Sequence, residues 1–341
     1  MAEAANRSYS LDHKVACLRR IEVYAEPTTR VEALETHMSW VFLTDQHAYK
    51  LKKPVRHAFL DFSTLAARKT HCNEELRLNR RLAPDVYLDV VALTADASGR
   101  LALAGDGAPV EWLVKMRRLP RDRMLDAALS RGAVRDEKIA ALAEVLSAFY
   151  ASLAPIGMSL AEYRDRLARD VEACREELRS PAHELASELF EGTAEGLRGF
   201  IARESGLLEA RLQAGRIVEG HGDLRPEHVC LLERPVVIDC LEFNREFRVL
   251  DLADELAYLA MECARLGAPS TGEKIFTACC ERMSDRVPPR LFHFYCAYRA
   301  LVRAKIAAWH SKDVPVTDVG KWHTRTRQYL ALAATSVQAC G

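Results

Sequence analysis

The residues best placed to do chemistry form a polar run, Gly220-His221-Gly222-Asp223-Leu224-Arg225-Pro226-Glu227-His228-Val229. Short β-prone stretches at 216–219, 229–232 and 236–238 surround it. Asp239 ends the last of these stretches, 16 positions after Asp223, and Glu242 follows three residues later. A strand-loop-strand-turn-strand unit that folds back on itself would bring Asp223, His228 and Asp239 to one small volume. Carboxylates and imidazoles gathered there suit two tasks, holding a divalent cation and moving a proton. One reading is therefore a metal-dependent hydrolase with His221, Asp223, His228, Asp239 and Glu242 as ligands for Mn²⁺, Fe²⁺ or Zn²⁺.

Further chemistry-bearing side chains stand elsewhere. In Ala48-Tyr49-Lys50-Leu51-Lys52, period-two alternation puts Lys50 and Lys52 on one face of a strand. Glu74 and Glu75 sit in the helix that follows, and Glu75 shares a stripe with the apolar Leu78 and Leu82. Late in the chain, Tyr295, Arg299 and Arg303 recur one helical turn apart among apolar residues, where such cations need partners. Asp251, Asp254 and Glu255 are the expected ones. Gly267-Ala268-Pro269-Ser270-Thr271-Gly272-Glu273-Lys274 approaches a Walker A loop but puts Glu273 where the lysine belongs and follows a helix, so it reads as an inter-helix turn.

The elements that must position these groups fall into two parts. Leu11, Val15, Leu18 and Ile21 mark an amphipathic helix over 11–24. A hairpin follows, with strands at 40–43 and 48–52, then a helix over 63–83 opened by Ser63 or Thr64 and stopped before Pro84. Strands at 86–93 and 111–116 enclose a turn-rich stretch over 96–109. Beyond Leu119-Pro120 the spacing becomes helical, with Ile139, Leu142, Leu146, Phe149 and Leu153 on one face. Further helices are expected over 160–180, 183–213, 250–266 and 288–310, with turns over 268–274 and 311–319.

The 341 residues carry 48 basic and 48 acidic side chains, so no global field draws in nucleic acid or an anionic membrane. No run of 18 apolar residues offers a membrane span, and the first 20 residues lack an apolar leader core. Ten irregularly spaced cysteines without a CxxC pair fit reduced thiols, and the expected location is the cytoplasm.

The run His221-Gly222-Asp223-Leu224-Arg225-Pro226-Glu227-His228 resembles the catalytic loop of the aminoglycoside phosphotransferase and choline kinase-like superfamily, small-molecule relatives of protein kinases. Val236-Val237-Ile238-Asp239 resembles that superfamily's metal-binding strand end, and Asp251-Leu252-Ala253 the Asp-Leu-Ala that commonly follows. Tyr49-Lys50-Leu51-Lys52-Lys53-Pro54-Val55 and Leu78-Asn79-Arg80-Arg81-Leu82-Ala83-Pro84 look like an uncharacterised bacterial branch. The resemblance implies an α+β, bilobed protein kinase-like fold. It has a small antiparallel-sheet N-lobe with one helix over 1–116, a larger mainly helical C-lobe over 117–341, and a hinge near 115–120.

It also implies a function: moving the γ-phosphoryl group of ATP, with Mg²⁺ or Mn²⁺, to a hydroxyl of a small molecule. Asp223 would accept or orient the hydroxyl proton, His221 would fix the loop, and Asp239 would hold the metal. Lys50 or Lys52, paired with Glu75, would contact the nucleotide phosphates. Thr36 and Ser39, in a turn without glycine, would stand near them, and Met116 and Arg118 would belong to the adenine hinge. His228 occupies the place of the superfamily's second metal ligand, an asparagine, and imidazole suits Mn²⁺ better than Mg²⁺. Glu242 is a further candidate ligand. If the change to His228 abolishes turnover, the chain is instead a nucleotide-binding pseudokinase.

Overall fold

Short strands with alternating apolar residues dominate the first part of the chain, and in the computed structural model they pair as one antiparallel sheet. Residues 9–57, 59–183, 185–312 and 316–340 are described. The first eight residues of the segment read as lacking a leader core, and 313–315 of the turns expected over 311–319, lie outside them. Two compact units are present: Met1–Arg121 with Val237–Glu246, and Asp122–Val236 with Phe247–Gly341.

In the first unit, α1 (Leu11–Leu18) precedes β1 (Glu32–Glu35), β2 (Ser39–Leu43) and β3 (His47–Lys52). A small pair, β4 (Arg56–His57) and β5 (Leu60–Asp61), leads to α2 (Leu65–Asn79), then β6 (Tyr87–Ala95), β7 (Leu101–Leu103) and β8 (Ala108–Arg117). The six-stranded order is β1-β2-β3-β8-β6-β7, and each neighbouring pair is antiparallel. β1 and β7 add edges that polar or turn-rich sequence concealed, and α1 stops at Leu18 rather than running to residue 24. The sheet is covered on both faces. Tyr49 and Leu51 of β3 pack with Val15 and Leu18 of α1, while α2 lies against β6 and β8. Alternation therefore turns Lys50 and Lys52 away from the α1 core and toward α2.

The second unit opens with α3 (Leu125–Ser130), α4 (Asp136–Ala151) and α5 (Leu160–Leu178), the last started by a capping box of Ser159 and Glu162. The helix expected over 183–213 is two, α6 (Glu191–Arg203) and α7 (Ser205–Gln213). β9 (Ile217–Glu219), β10 (Val229–Cys230) and β11 (Val236–Val237) follow, and β9 pairs antiparallel with β12 (Val249–Asp251). Asp251 then caps α8 (Leu252–Arg265), its carboxylate accepting from Ala253 N at 2.8 Å. α9 (Pro269–Arg282) replaces the turn read over 268–274, because Pro269 stands in its first turn, where a missing N–H costs nothing. α10 (Pro289–His310) and α11 (Val316–Gln338) complete the unit. Among the described residues no helix is long and apolar enough to cross a membrane, and no disulfide forms.

A buried ionic junction ties α7, β12 and α10 together. Arg211 donates to Asp251 at 2.7 and 2.8 Å and to Asp285 at 2.5 and 2.8 Å, and the Tyr295 hydroxyl donates to Asp251 at 2.9 Å. Arg211→Met strands two carboxylates in the interior, a loss of about 3–5 kcal/mol. Urea denaturation read by tryptophan fluorescence checks it, and a change below about 1 kcal/mol in the same scale contradicts the buried junction.

Candidate functional site

In the first unit the site grows from β3. The Lys50 ammonium lies 2.9 Å from Glu75 Oε1 and 2.6 Å from Asp239 Oδ1. The Lys52 ammonium lies 2.5 Å from Glu75 Oε2 and also binds Glu242. Glu75 thus holds one lysine with each oxygen, and it is fully buried. These ion pairs explain why Val237–Glu246 belongs with the sheet-bearing unit although it follows residue 121 by more than a hundred positions. Burial pushes the Lys50 ammonium down, but the carboxylates of Asp239, Glu75 and Glu242 outweigh it and hold the group well above its ordinary value. For Glu75, burial pushes upward and the two ammonium groups pull the carboxyl below its usual range.

Asp239 is placed by groups that sequence reading did not find. Its φ is +64°, a left-handed conformation that costs an L-residue about 1–2 kcal/mol and that aspartate tolerates better than most. The Tyr87 hydroxyl of β6 accepts from Asp239 N at 3.0 Å, and Asn79 Oδ1 at the end of α2 accepts from Cys240 N at 2.9 Å. Both holders are buried. The carboxylate they pin remains 42 % exposed.

Glu242 is only 7 % exposed and is engaged by Lys52, which is itself fully buried. Its Oε1 thus belongs to the lysine cluster. Thr36 and Ser39 close the β1–β2 turn: the Thr36 hydroxyl accepts from Ser39 N and donates to Ser39 O, each at 3.0 Å. Met116 is buried in β8 opposite Ala48 and Tyr87. Arg118 reaches back to the β2–β3 turn, donating to Thr44 O at 2.6 Å, while its N–H donates to Gln46 O at 2.8 Å.

In the second unit the 220–228 loop is wrapped around Glu255 of α8. Glu255 accepts from His221 N at 2.9 Å, from Gly222 N, and from the Tyr150 hydroxyl at 2.8 Å. Gly222 has φ +85°, where a side chain is strained, and a Cβ on Gly220 would meet Glu255 Oε2 at 2.5 Å. Gly222 is therefore favoured by the backbone path, and Gly220 by the close approach of the Glu255 carboxylate. His221 is buried and its Nδ1 accepts from Asp223 N at 3.3 Å.

The Asp223 carboxylate has two partners: Tyr258 donates to Oδ1 at 2.8 Å and Arg225 Nε to Oδ2 at 3.0 Å. Burial pushes its carboxyl up, but the charges of Arg225 and Arg303 and the bond from Tyr258 hold it well below the usual carboxylate range. His228 is turned into the same loop. Its Nδ1 lies 2.8 Å from Asp223 O, and its Nε2 lies 3.0 Å from the Arg225 guanidinium. With Nδ1–H donating to the carbonyl and Nε2 accepting from arginine, both ring nitrogens are used. Among the described residues, no group of three or more His, Cys, Asp or Glu side chains is arranged to hold a metal ion.

The late helix meets the carboxylates only in part as expected. Tyr295 binds Asp251, and Arg299 Nε lies 2.6 Å from Asp254 Oδ1, but Glu255 is taken by the loop and Arg303 faces Glu262 at 3.4 Å. Lys274 of the Walker-like segment pairs with Asp136 at 2.7 Å on the surface of α9 and α4.

No protein-family model matches the chain. Proteins from Mycobacterium tuberculosis and Mycobacterium bovis described as uncharacterised are 33% identical over 287 residues, 81% of this chain and 54% of theirs. The chain thus spans about half the length of the curated relatives it matches. Among solved structures, a choline/ethanolamine kinase family protein from Mesorhizobium loti is similar at TM-score 0.53 and 17% identity, over 96% of this chain and 98% of that one. Choline kinase from Cryptosporidium parvum is similar at TM-score 0.54 and 12% identity, covering 95% of each chain. An aminoglycoside 2'-phosphotransferase in complex with GDP is similar at TM-score 0.52 and 15% identity, over 96% and 98%. With its antiparallel sheet unit and its mainly helical unit, the chain has the α+β, protein kinase-like fold of the choline kinase and aminoglycoside phosphotransferase structures.

Proposed function

We propose that the protein is an ATP-dependent phosphotransferase that moves the γ-phosphoryl group to a hydroxyl of a small molecule. One observation carries this reading: a partly buried lysine, Lys50, braced by Glu75 and set beside the half-exposed carboxylate of Asp239. In this reading residues 1–116 are the nucleotide-binding part and 117–341 the catalytic and substrate part, with the hinge near 115–120. The relatives in fold include one whose description records GDP, which supports nucleotide use. Reduced cysteines throughout accord with work in the cytoplasm.

Bound Mg-ATP would supply the phosphoryl group and the positive charge that offsets its oxygens as the bond to the leaving group stretches. Lys50 binds phosphate oxygens and Glu75 keeps its ammonium aimed. Lys52 and Glu242 hold Glu75 from behind. Asp239 offers a hard oxygen to Mg²⁺, which binds through one or two carboxylates plus substrate phosphates and does not need an all-protein cage. Neither Glu242 nor His228 joins it, since each is engaged elsewhere. Asp223 receives the acceptor's proton, with Tyr258 fixing one carboxylate oxygen and Arg225 the other. His221 holds the loop that presents it. The five-ligand hydrolase reading loses support because Glu242 and His228 have other partners.

Thermal stabilisation tests the proposal. ATP and Mg²⁺ together raise the melting temperature of the wild type, by about 2.7 kcal/mol in stability at one hundred times the dissociation constant. Lys50→Ala and Asp239→Asn abolish the shift. Stabilisation by Mn²⁺ or Zn²⁺ alone, with nothing added by ATP, overturns the phosphotransferase and returns the hydrolase.

A further inference from the structure

Three carboxylates of α8 that could attract a cationic acceptor, Asp254, Glu255 and Glu262, are already engaged. Asp254 is bound by Arg299, and Glu255 by the backbone of the 220–222 loop. Glu262 lies 2.5 Å from Arg265 and 2.7 Å from the Tyr329 hydroxyl. Glu227 accepts from Arg265 at 3.2 Å through one oxygen, and its other oxygen is buried with no hydrogen-bond partner among the described residues. The aromatic faces are occupied as well: the Arg299 guanidinium stands 5.3 Å over Tyr258, and Arg265 and Arg303 each stand 5.6 Å from the centre of Tyr329. A quaternary ammonium or an aminoglycoside amine would need such carboxylates or rings for itself.

Arg303 is the contrasting group. Glu262 is already satisfied by nearer donors, and Arg303 reaches it at 3.4 Å and the Tyr329 hydroxyl at 3.5 Å, in both cases through Nε. Its two terminal nitrogens have no hydrogen-bond partner among the described residues, and 13 % of the side chain is exposed. A planar guanidinium with an open end matches a carboxylate or phosphate through two parallel bonds. Its neighbourhood is that of Asp223: Tyr258, which donates to Asp223 at 2.8 Å, lies under the guanidinium of Arg299, and Arg303 follows Arg299 by one turn of α10; in keeping with this, Arg303 favours the ionised form of Asp223 and opposes Arg225 as a like charge. Two neighbouring guanidinium groups, Arg225 committed to Asp223 and Arg303 uncommitted at its tip, favour an added negative charge.

We propose that the acceptor handled at Asp223 carries an oxyanion, a carboxylate or a phosphate, which Arg303 binds through the open end of its guanidinium, and that cationic acceptors are rejected. This rests on the phosphotransferase reading for the word acceptor; the oxyanion site itself does not.

Isothermal titration of the full chain without nucleotide, using inorganic phosphate, glycerate, choline and kanamycin as probes, tests it. Phosphate and glycerate bind the wild type, choline and kanamycin do not, and Arg303→Met weakens the two anions roughly tenfold or more. Arg303→Lys, which keeps the charge and loses the fork, lies between them. It also guards against a folding defect in Arg303→Met, as do melting curves of both variants. Binding of choline or kanamycin overturns the proposal and points to the second carboxylate oxygen of Glu227. Anion binding that Arg303→Met leaves intact, or that is missing from the wild type, overturns it too. If Arg303→Met weakens Mg-ATP as much as phosphate, the oxyanion is the nucleotide's and the acceptor assignment falls. Loss of Mg-ATP stabilisation with the Arg303-dependent anion binding preserved would instead remove the phosphotransferase reading and leave the site.

Discussion

Asp223→Asn slows phosphoryl transfer by roughly 10²–10⁴-fold, the range lost with a general base. The substitution keeps the size of the side chain and an oxygen for the Tyr258 hydroxyl, which donates at 2.8 Å. It sets an amide N–H where Arg225 Nε now donates at 3.0 Å, so donor faces donor and the positioning is lost with the charge. Initial rates of ADP formation measure the effect, with water as acceptor if no better one is in hand. Mg-ATP stabilisation stays within error of the wild type, because Lys50, Glu75 and Asp239 are untouched. A variant within about twofold of wild-type rate sinks the role of Asp223 as base. The pH dependence adds a separate check. Asp223 is held below the usual carboxylate range, so its ionised form is complete above the unfolded value near ~3.9 and is lost only as pH falls through the depressed value. A fall in rate between about pH 7 and pH 5 must then come from another group, and it survives in Asp223→Glu.

What the sequence shows of this site follows the range of the interactions. The β2–β3 hairpin, α2 and the glycine-flanked loop are local patterns, and Lys50, Lys52, Glu75 and Asp223 stand out because few alternatives exist for such residues in such elements. Tyr87 and Tyr258 are different. Their hydroxyls hold Asp239 and Asp223 across 152 and 35 positions, and nothing local distinguishes them from core tyrosines. Arg225 was the one available signal for His228: a cation two residues after Asp223 and three before the imidazole can engage both within one loop. The offset alone suggested a metal ligand. Glu242 likewise reads as a carboxylate near Asp239, and its ion pair with the buried Lys52 has no local signature. The β1 and β7 edges and α9 leave no clear local signal, because polar edge strands and a proline in a first helical turn mimic loops.

The two lysines separate into different jobs, and Lys50→Met and Lys52→Met are expected to show it. Lys52 is fully buried between Glu75 and Glu242, two carboxylates that are 0 % and 7 % exposed. Removing its ammonium leaves Glu242 without a counter-charge in a dry setting and destabilises the fold by about 3–5 kcal/mol. Lys50 is 15 % exposed and shares Asp239, whose carboxylate is 42 % exposed and can take water instead. Glu75 keeps Lys52. Lys50→Met therefore costs less, about 1–2 kcal/mol, well short of breaking a fully buried pair. The functional order is the reverse: Lys50→Met abolishes Mg-ATP stabilisation, whereas Lys52→Met retains it at temperatures where the variant is folded. The charges also fix the pH behaviour. The lysines' raised values give stability that is present below their unfolded value near ~10.4 and lost as pH rises through the folded values. The lowered value of Glu75 gives stability lost only as pH falls through it. The cluster is thus whole across the neutral range, and urea titrations at neutral pH compare the variants fairly. If Lys52→Met loses the nucleotide and Lys50→Met loses the stability, the assignment of the phosphate contact passes to Lys52, and Glu75 braces it rather than Lys50.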